Sequence, residues 1–160
     1  MKFIASVALL AGTAMASQKE FKLKSTGATL SQHDNLYLTA YHTGAGTNDA
    51  VFQSNATVAS NFFLNGTNAF ADLKTQYPWG IEIQSDTNYA AWDSVTINAG
   101  TGSDGFSVKG GELVWSEADG FGGWLICDWN HGVPQLFYLD RYYDDKIPSS
   151  CSKASLAVSQ

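Results

Sequence analysis

The sequence predicts an all-β fold, a single-domain antiparallel β-barrel or β-sandwich. Three observations point there. No segment holds a helical apolar stripe for more than about two turns. Short runs rich in aromatic and β-branched residues recur at spacings of roughly 8–12 residues between Gly, Asn and Asp clusters, the pattern of small sandwiches and barrels. The densest apolar stretch of the 160-residue chain, Gly122 to Leu139, is two such runs around the polar break Asn130-His131-Gly132. With Pro134 just past the break, this stretch reads as a β-hairpin with a three- to five-residue loop. A β-trefoil is the alternative, and the sequence shows no clear threefold repeat to support it.

Taken in order, Phe21-Lys22-Leu23-Lys24 alternates with period two and reads as a first strand, and Ser25 to Asp34 as a loop. Asn35 to His42 is a second strand, with Leu36, Leu38 and Ala40 on one face and Tyr37, Thr39 and Tyr41 on the other. Thr43 to Asp49 is turn-rich, and Ala50-Val51-Phe52 starts a short strand. Asn55 to Asn61 is a turn or an edge strand. Asn61 to Asn65 and Ala69 to Leu73 form a hairpin, since Asn65-Gly66 is the dipeptide preferred in type I′ turns. Pro78 marks an edge or a strand start before Ile81 to Gln84. Tyr89 to Ile97 is another β-prone run. Phe106-Ser107-Val108 and Glu112 to Trp115 flank Lys109-Gly110-Gly111 as a further hairpin, and Leu156-Ala157-Val158 adds a last short strand.

The amino end has the three parts of a secretory signal peptide over residues 1–16: Lys2, an apolar run from Phe3 to Leu10, and the small-x-small site Ala14-Met15-Ala16. The apolar run is far short of the ~20 residues that span a bilayer. The expected organisation is thus a leader, 1–16, and one secreted all-β domain, 17–160. Loss of Lys2 with the leader moves the formal charge from −6 to −7. An acidic surface is repelled by phosphate backbones and anionic membranes, so neither nucleic acid nor membrane is an expected partner. With apolar residues at 44%, the chain has the means to build a core.

Cys127 and Cys151 allow one intramolecular connectivity, and an exported chain meets an oxidising compartment, so a Cys127–Cys151 disulfide is expected. Asn55-Ala56-Thr57 and Asn65-Gly66-Thr67 match the N-glycosylation acceptor pattern.

Catalytic constellations are weakly represented. A Ser-His-Asp triad could draw on His33, His42 or His131, yet no Gly-x-Ser-x-Gly elbow accompanies it. The histidines form no His-x-x-x-His pair, and Asp144-Asp145 is only a local acidic pair, so no metal or cofactor is expected. A carboxylate pair of the glycosidase kind would come from Glu82, Glu112, Glu117 and Asp128. Asp128 is expected half-buried, bonded to the turn amides of Asn130 to Gly132. Five tryptophans supply the other chemistry, because an exposed aromatic face stacks on sugars while a buried one fills a core. Period-two placement sends Trp115 and Trp124 inward. Trp79, after Pro78, and Trp129, at the hairpin tip, are the candidates for exposure, and with Asp128 and His131 they make the candidate binding residues.

Over nearly the whole chain after the leader, the sequence resembles a family of small secreted ascomycete fungal proteins of unknown function. The resemblance is carried by Tyr41-His42-Thr43-Gly44-Ala45-Gly46, Asn48-Asp49-Ala50-Val51, Phe63 to Thr67, Pro78-Trp79-Gly80, Asn88 to Trp92, Gly123 to Trp129, and His131 to Phe137. More loosely it is similar to the fungal cell-wall protein phiA. The resemblance implies a non-catalytic fungal protein, wall-associated or effector-like, with a cell-wall glycan or a host plant protein as partner. The rival expectation is a small carbohydrate-active enzyme built on Asp128 and one glutamate. Amino-terminal sequencing of exported protein should read from Ser17, and an intact Met1 on that material would refute the leader.

Overall fold

The computed structural model describes residues 19–84, 91–116, 121–140 and 147–160. The expected leader, Glu117, Tyr89 and the Asp144-Asp145 pair lie outside these residues. The fold is all-β, with twelve strands among the described residues, in one antiparallel sheet that curls toward a ring. They are β1 (Lys22–Thr26), β2 (Tyr37–Gly44), β3 (Thr47–Gln53), β4 (Asn61–Asn65), β5 (Asn68–Asp72) and β6 (Trp79–Ile83). Then come β7 (Trp92–Ala99), β8 (Phe106–Lys109), β9 (Glu112–Trp115), β10 (Phe121–Asp128), β11 (Pro134–Asp140) and β12 (Cys151–Ser159). The pairing order is β4-β5-β6-β7-β11-β3-β2-β1-β12-β9-β8, with β10 set between β11 and β12 and an extra β3–β7 contact. The curl brings distant strands back together. Phe21 bridges Phe62, and the amide of Phe106 donates to the Thr67 carbonyl at 2.8 Å.

The predicted central hairpin forms, with a five-residue loop from Trp129 to Val133 between β10 and β11. Both of its faces are covered. Trp124, Ile126, Leu136 and Tyr138 enter the main core with Leu38, Phe52, Phe62, Ile97 and Phe106. Leu125, Cys127, Phe137 and Leu139 point the other way, into a smaller cluster with Cys151 under Trp92 and Ile147. A strand buried on both faces cannot alternate with polar residues, which explains its unbroken apolar sequence.

The disulfide is present. Cys127 and Cys151 are direct partners in the β10–β12 register, with Cα atoms 4.0 Å apart. Their amides and carbonyls are not exchanged at that rung: the ladder bond beside it runs from the Asp128 amide to the Ser150 carbonyl at 2.9 Å. This is the closer, non-hydrogen-bonded kind of antiparallel pair, the rung that a short crosslink can span.

Several element expectations are corrected. The turn-rich reading of Thr43 to Asp49 gives way to a β2–β3 hairpin that turns only at Ala45-Gly46, with Gly46 at φ 77°. The strand instead continues through small polar residues because its partner supplies the ladder bonds. The Asn65-Gly66 turn is also displaced by one residue. Asn65 pairs with Asn68, the turn residues are Gly66 and Thr67, and only Gly66 has positive φ. That is the demand of a II′ turn rather than I′. The I′ pattern appears instead at Gly110-Gly111, both of positive φ, between the paired Lys109 and Glu112. The last strand is nine residues rather than three, and β12 sits centrally, against β1, β9 and β10. Trp79 is not an exposed platform: it packs on the main core and its indole N–H donates to Thr75 Oγ1 at 2.7 Å.

Two glycines fix the edge of β6. A Cβ on Gly80 would lie 2.3 Å from the Gly102 amide nitrogen, so only glycine lets the 100–103 loop close on that strand. The loop then serves as a substitute partner, with Ser103 N–H donating to Ile81 O and Ile83 N–H donating to Ser103 Oγ. Replacing both cysteines by alanine should lower the unfolding free energy by roughly 3 kcal/mol, the loop-closure value for this separation. Denaturant titration of parent and variant under non-reducing conditions checks it; equal stabilities would show that the strand pairing alone holds β12.

Candidate functional site

The outer face of the sheet, opposite the main core, carries a row of polar side chains in direct register. Tyr41 on β2 pairs with Asp49 on β3, Asp49 with Thr96 on β7, and Thr96 with Glu82 on β6. Directly opposed residues of an antiparallel ladder share a face. Their chain neighbours Ala50, Val95, Ile97 and Ile81 all point into the core, which sends these four outward. Three interstrand steps of ~4.8 Å make the row about 14 Å long.

The row is held by side-chain bonds before any ligand arrives. Thr96 Oγ1 accepts from Gln84 Nε2 at 2.9 Å and from Asn98 Nδ2 at 3.0 Å. The same Asn98 amide donates to Glu82 Oε2 at 2.8 Å. At the other end His131 Nε2 lies 2.7 Å from Asp49 Oδ2, and its ring stacks on Tyr41 with centroids 4.1 Å apart. The loop that delivers His131 bends at Gly132, φ 68°. It also presents Trp129, 52% exposed, edge-on against Phe137 at 5.4 Å. Tyr41 is 42% exposed. The face therefore offers donors and acceptors of fixed direction beside flat apolar surfaces, an arrangement suited to hydroxyl-rich or mixed polar ligands.

Of the candidate binding residues, the structure places His131 and Trp129 in this corner and leaves Trp79 and Asp128 out of it. Asp128 shares its parity on β10 with the core residues Trp124 and Ile126, whereas Glu82 alternates with the core residue Ile81. The two carboxylates thus leave opposite faces of the sheet. Nor is Asp128 half-buried against turn amides: its side chain is 58% exposed and, among the described residues, its bonded partner is His33. Asp49, Tyr41 and Thr96 are the residues that sequence reading missed as a group. Extending the Ala50–Phe52 alternation back to Asn48 would have put Asp49 on the outer face.

His33 forms the second polar cluster. Its Nδ1 lies 2.8 Å from Ser152 Oγ and its Nε2 3.0 Å from Asp128 Oδ1. The residue types are those of a Ser-His-Asp triad, but the ring nitrogens are exchanged, with serine on Nδ1 and carboxylate on Nε2, and the exposure is reversed. Ser152 and His33 are fully buried while the carboxylate faces water. A nucleophile must meet substrate and its orienting carboxylate is normally the buried member. Here the serine can meet nothing: its oxygen accepts the Leu30 amide at 3.1 Å and its hydroxyl has His33 to donate to. A single tautomer satisfies the chain, with Nε2–H donating to Asp128 and Nδ1 accepting from Ser152. Asp128 and Ser152 follow Cys127 and Cys151 and lie on opposite sides of the disulfide's rung, so the imidazole ties β10 to β12 diagonally across it and anchors the 27–34 loop.

The two acceptor asparagines are both on the surface. Asn55 caps the short 3-10 turn Ala56–Val58, its Oδ1 accepting from the amide and hydroxyl of Thr57 at 2.9 and 2.8 Å. Asn65 ends β4 beside the exposed turn. On the neighbouring β5, the side chain of Lys74 hydrogen-bonds Asp72 and holds that carboxyl below the usual carboxylate range. Stability from this pair is present above the ordinary carboxylate pKa and fades as pH falls through the lowered one; exposure keeps it small.

Fold and face together define a single-domain, disulfide-crosslinked antiparallel β protein with an aromatic-rimmed polar sheet face. The chain belongs to the family described as domain of unknown function DUF7907, whose model matches residues 18–159. No curated protein matches the sequence, and no solved structure matches the fold.

Removing the imidazole should expose its structural role. His33→Ala leaves Ser152 and a void inside the protein and should cost about 2–4 kcal/mol. Asp128→Asn keeps an acceptor for Nε2–H and should cost less than ~1 kcal/mol. Denaturant midpoints of the two variants test the assignment; equal losses would mean that the clasp is an ion pair to a protonated ring.

Proposed function

We propose that this is a secreted, non-catalytic fungal protein that binds cell-wall glycan through the outer sheet face, with Trp129, Tyr41 and His131 as the contact corner. The observation that supports it is the pre-bonded polar row ending in the exposed Tyr41 ring stacked on a partly buried His131. Glycan hydroxyls need donors and acceptors in fixed positions, and sugar rings present apolar faces that aromatic rings cover. A row already ordered by Asn98, Gln84 and His131 loses little side-chain freedom on binding. Further support comes from the acidic, disulfide-crosslinked domain following a leader-like segment, and from the two surface acceptor asparagines, which we assign as glycan-bearing in the exported protein. The rival carbohydrate-active enzyme needs two carboxylates converging on one cleft. The divergence of Asp128 from Glu82 weighs against it.

The purified exported protein should be retained by chitin, β-glucan or plant cell wall, and Trp129→Ala and Tyr41→Ala should each weaken retention about tenfold, near 1.4 kcal/mol. Both side chains are exposed, so their loss should leave thermal stability within about 0.5 kcal/mol of the parent. Retention on none of these polymers, with defence responses in infiltrated leaf, would favour a host protein as target. Release of reducing sugar that stops in Asp128→Asn would overturn the non-catalytic reading.

A further inference from the structure

The strand order ends in two edge strands, β4 and β8, that the curl brings near each other without a ladder between them. Beyond the end of β4 the two sides are joined by the Phe106 amide to the Thr67 carbonyl and by Asn68 Nδ2 to the Ser103 carbonyl. Away from those bonds the seam opens into a cavity of about 350 Å³. Leu64 of β4 and Val108 of β8 form its sides, Phe21 and Val158 complete its apolar wall, and Lys19 and Gln160 stand among the lining groups. Phe21 is itself buried and belongs to the main core, so the cavity reaches the core's end. Mouths of curled sheets are a common place for small-ligand sites, and this volume lies within their usual range.

We propose that this seam is a binding site for a small anionic amphiphile, a medium-chain carboxylate whose alkyl tail lies on Phe21, Leu64, Val108 and Val158. Three features of the lining carry the assignment. Its walls are hydrocarbon, and burying a tail there removes both surfaces from water. Among the described lining residues the one ionisable side chain is a cation, Lys19, placed to meet a carboxylate head, with the Gln160 amide as a second donor. Its volume holds roughly a dozen non-hydrogen atoms at ~30 Å³ each, the share of a water in the liquid. Decanoate has that size. The site is separate from the polar row: none of its lining residues lies on β2, β3, β6 or β7.

Isothermal titration of exported protein with sodium decanoate, below its micellar concentration, tests the proposal. Saturable one-to-one binding is expected. Val108→Trp, a change at a side chain that is 40% exposed, should fill the seam and weaken binding at least tenfold without lowering the melting temperature. Lys19→Met should weaken decanoate at least threefold and leave the weaker binding of decanol unchanged. No saturable heat with the parent, or undiminished binding in a folded Val108→Trp variant, would overturn the site. Equal decanoate affinity in Lys19→Met would overturn the assignment of an anionic ligand. Trp129→Ala should bind decanoate like the parent, so failure of the glycan reading leaves this result standing.

Discussion

Burial of the β10–β11 hairpin on both faces is the constraint on which the other elements depend. One face completes the main core through Trp124, Ile126, Leu136 and Tyr138. The other needs cover for Leu125, Phe137 and Leu139, and receives it from the disulfide and Trp92. A two-stranded hairpin is marginal alone in water. It is stable here because β12, β3 and β7 supply its edges and neighbouring chain covers its second face. The disulfide and the His33 clasp both fall on the β10–β12 seam, where strands more than twenty residues apart in sequence must be kept in register.

The reversed Ser-His-Asp arrangement shows why hydrogen-bond order alone does not define a catalytic group. Distances of 2.8 and 3.0 Å are those of a working relay. What differs is which ring nitrogen meets which partner, and which end meets water. With serine and imidazole sealed and the carboxylate exposed, the chain of bonds satisfies buried polar atoms and fixes a loop, a role for which burial is required rather than harmful.

The outer face follows from the same geometry. Every strand that gives one face to the core offers alternate residues to the other side. Where β6, β7, β3 and β2 lie in sequence-distant register, those residues become a continuous row. The curl that builds this face also leaves β4 and β8 without a ladder between them, so face and seam are two consequences of one bent sheet.

Much of the architecture was legible in local sequence. Period-two alternation located most strands, the apolar run of Gly122 to Leu139 marked the central hairpin, and two cysteines could pair in only one way. Those features are set by residues a few positions apart, within reach of pattern reading. The candidate site was legible only in part: Trp129 and His131 stood out as residues beside a turn. Their partners Tyr41 and Asp49 come from the β2–β3 hairpin, and Thr96 and Glu82 from strands farther along, so the row exists only once the register is fixed. The same holds for His33, which looked like a loop residue and is fully buried, bonded to Asp128 of β10 and Ser152 of β12. The sequence by itself determined that the chain would form short strands, a core hairpin and a crosslink. Tertiary structure alone decided which side chains share a face, because the pairing of strands distant in sequence is chosen by joint burial and not by any one segment.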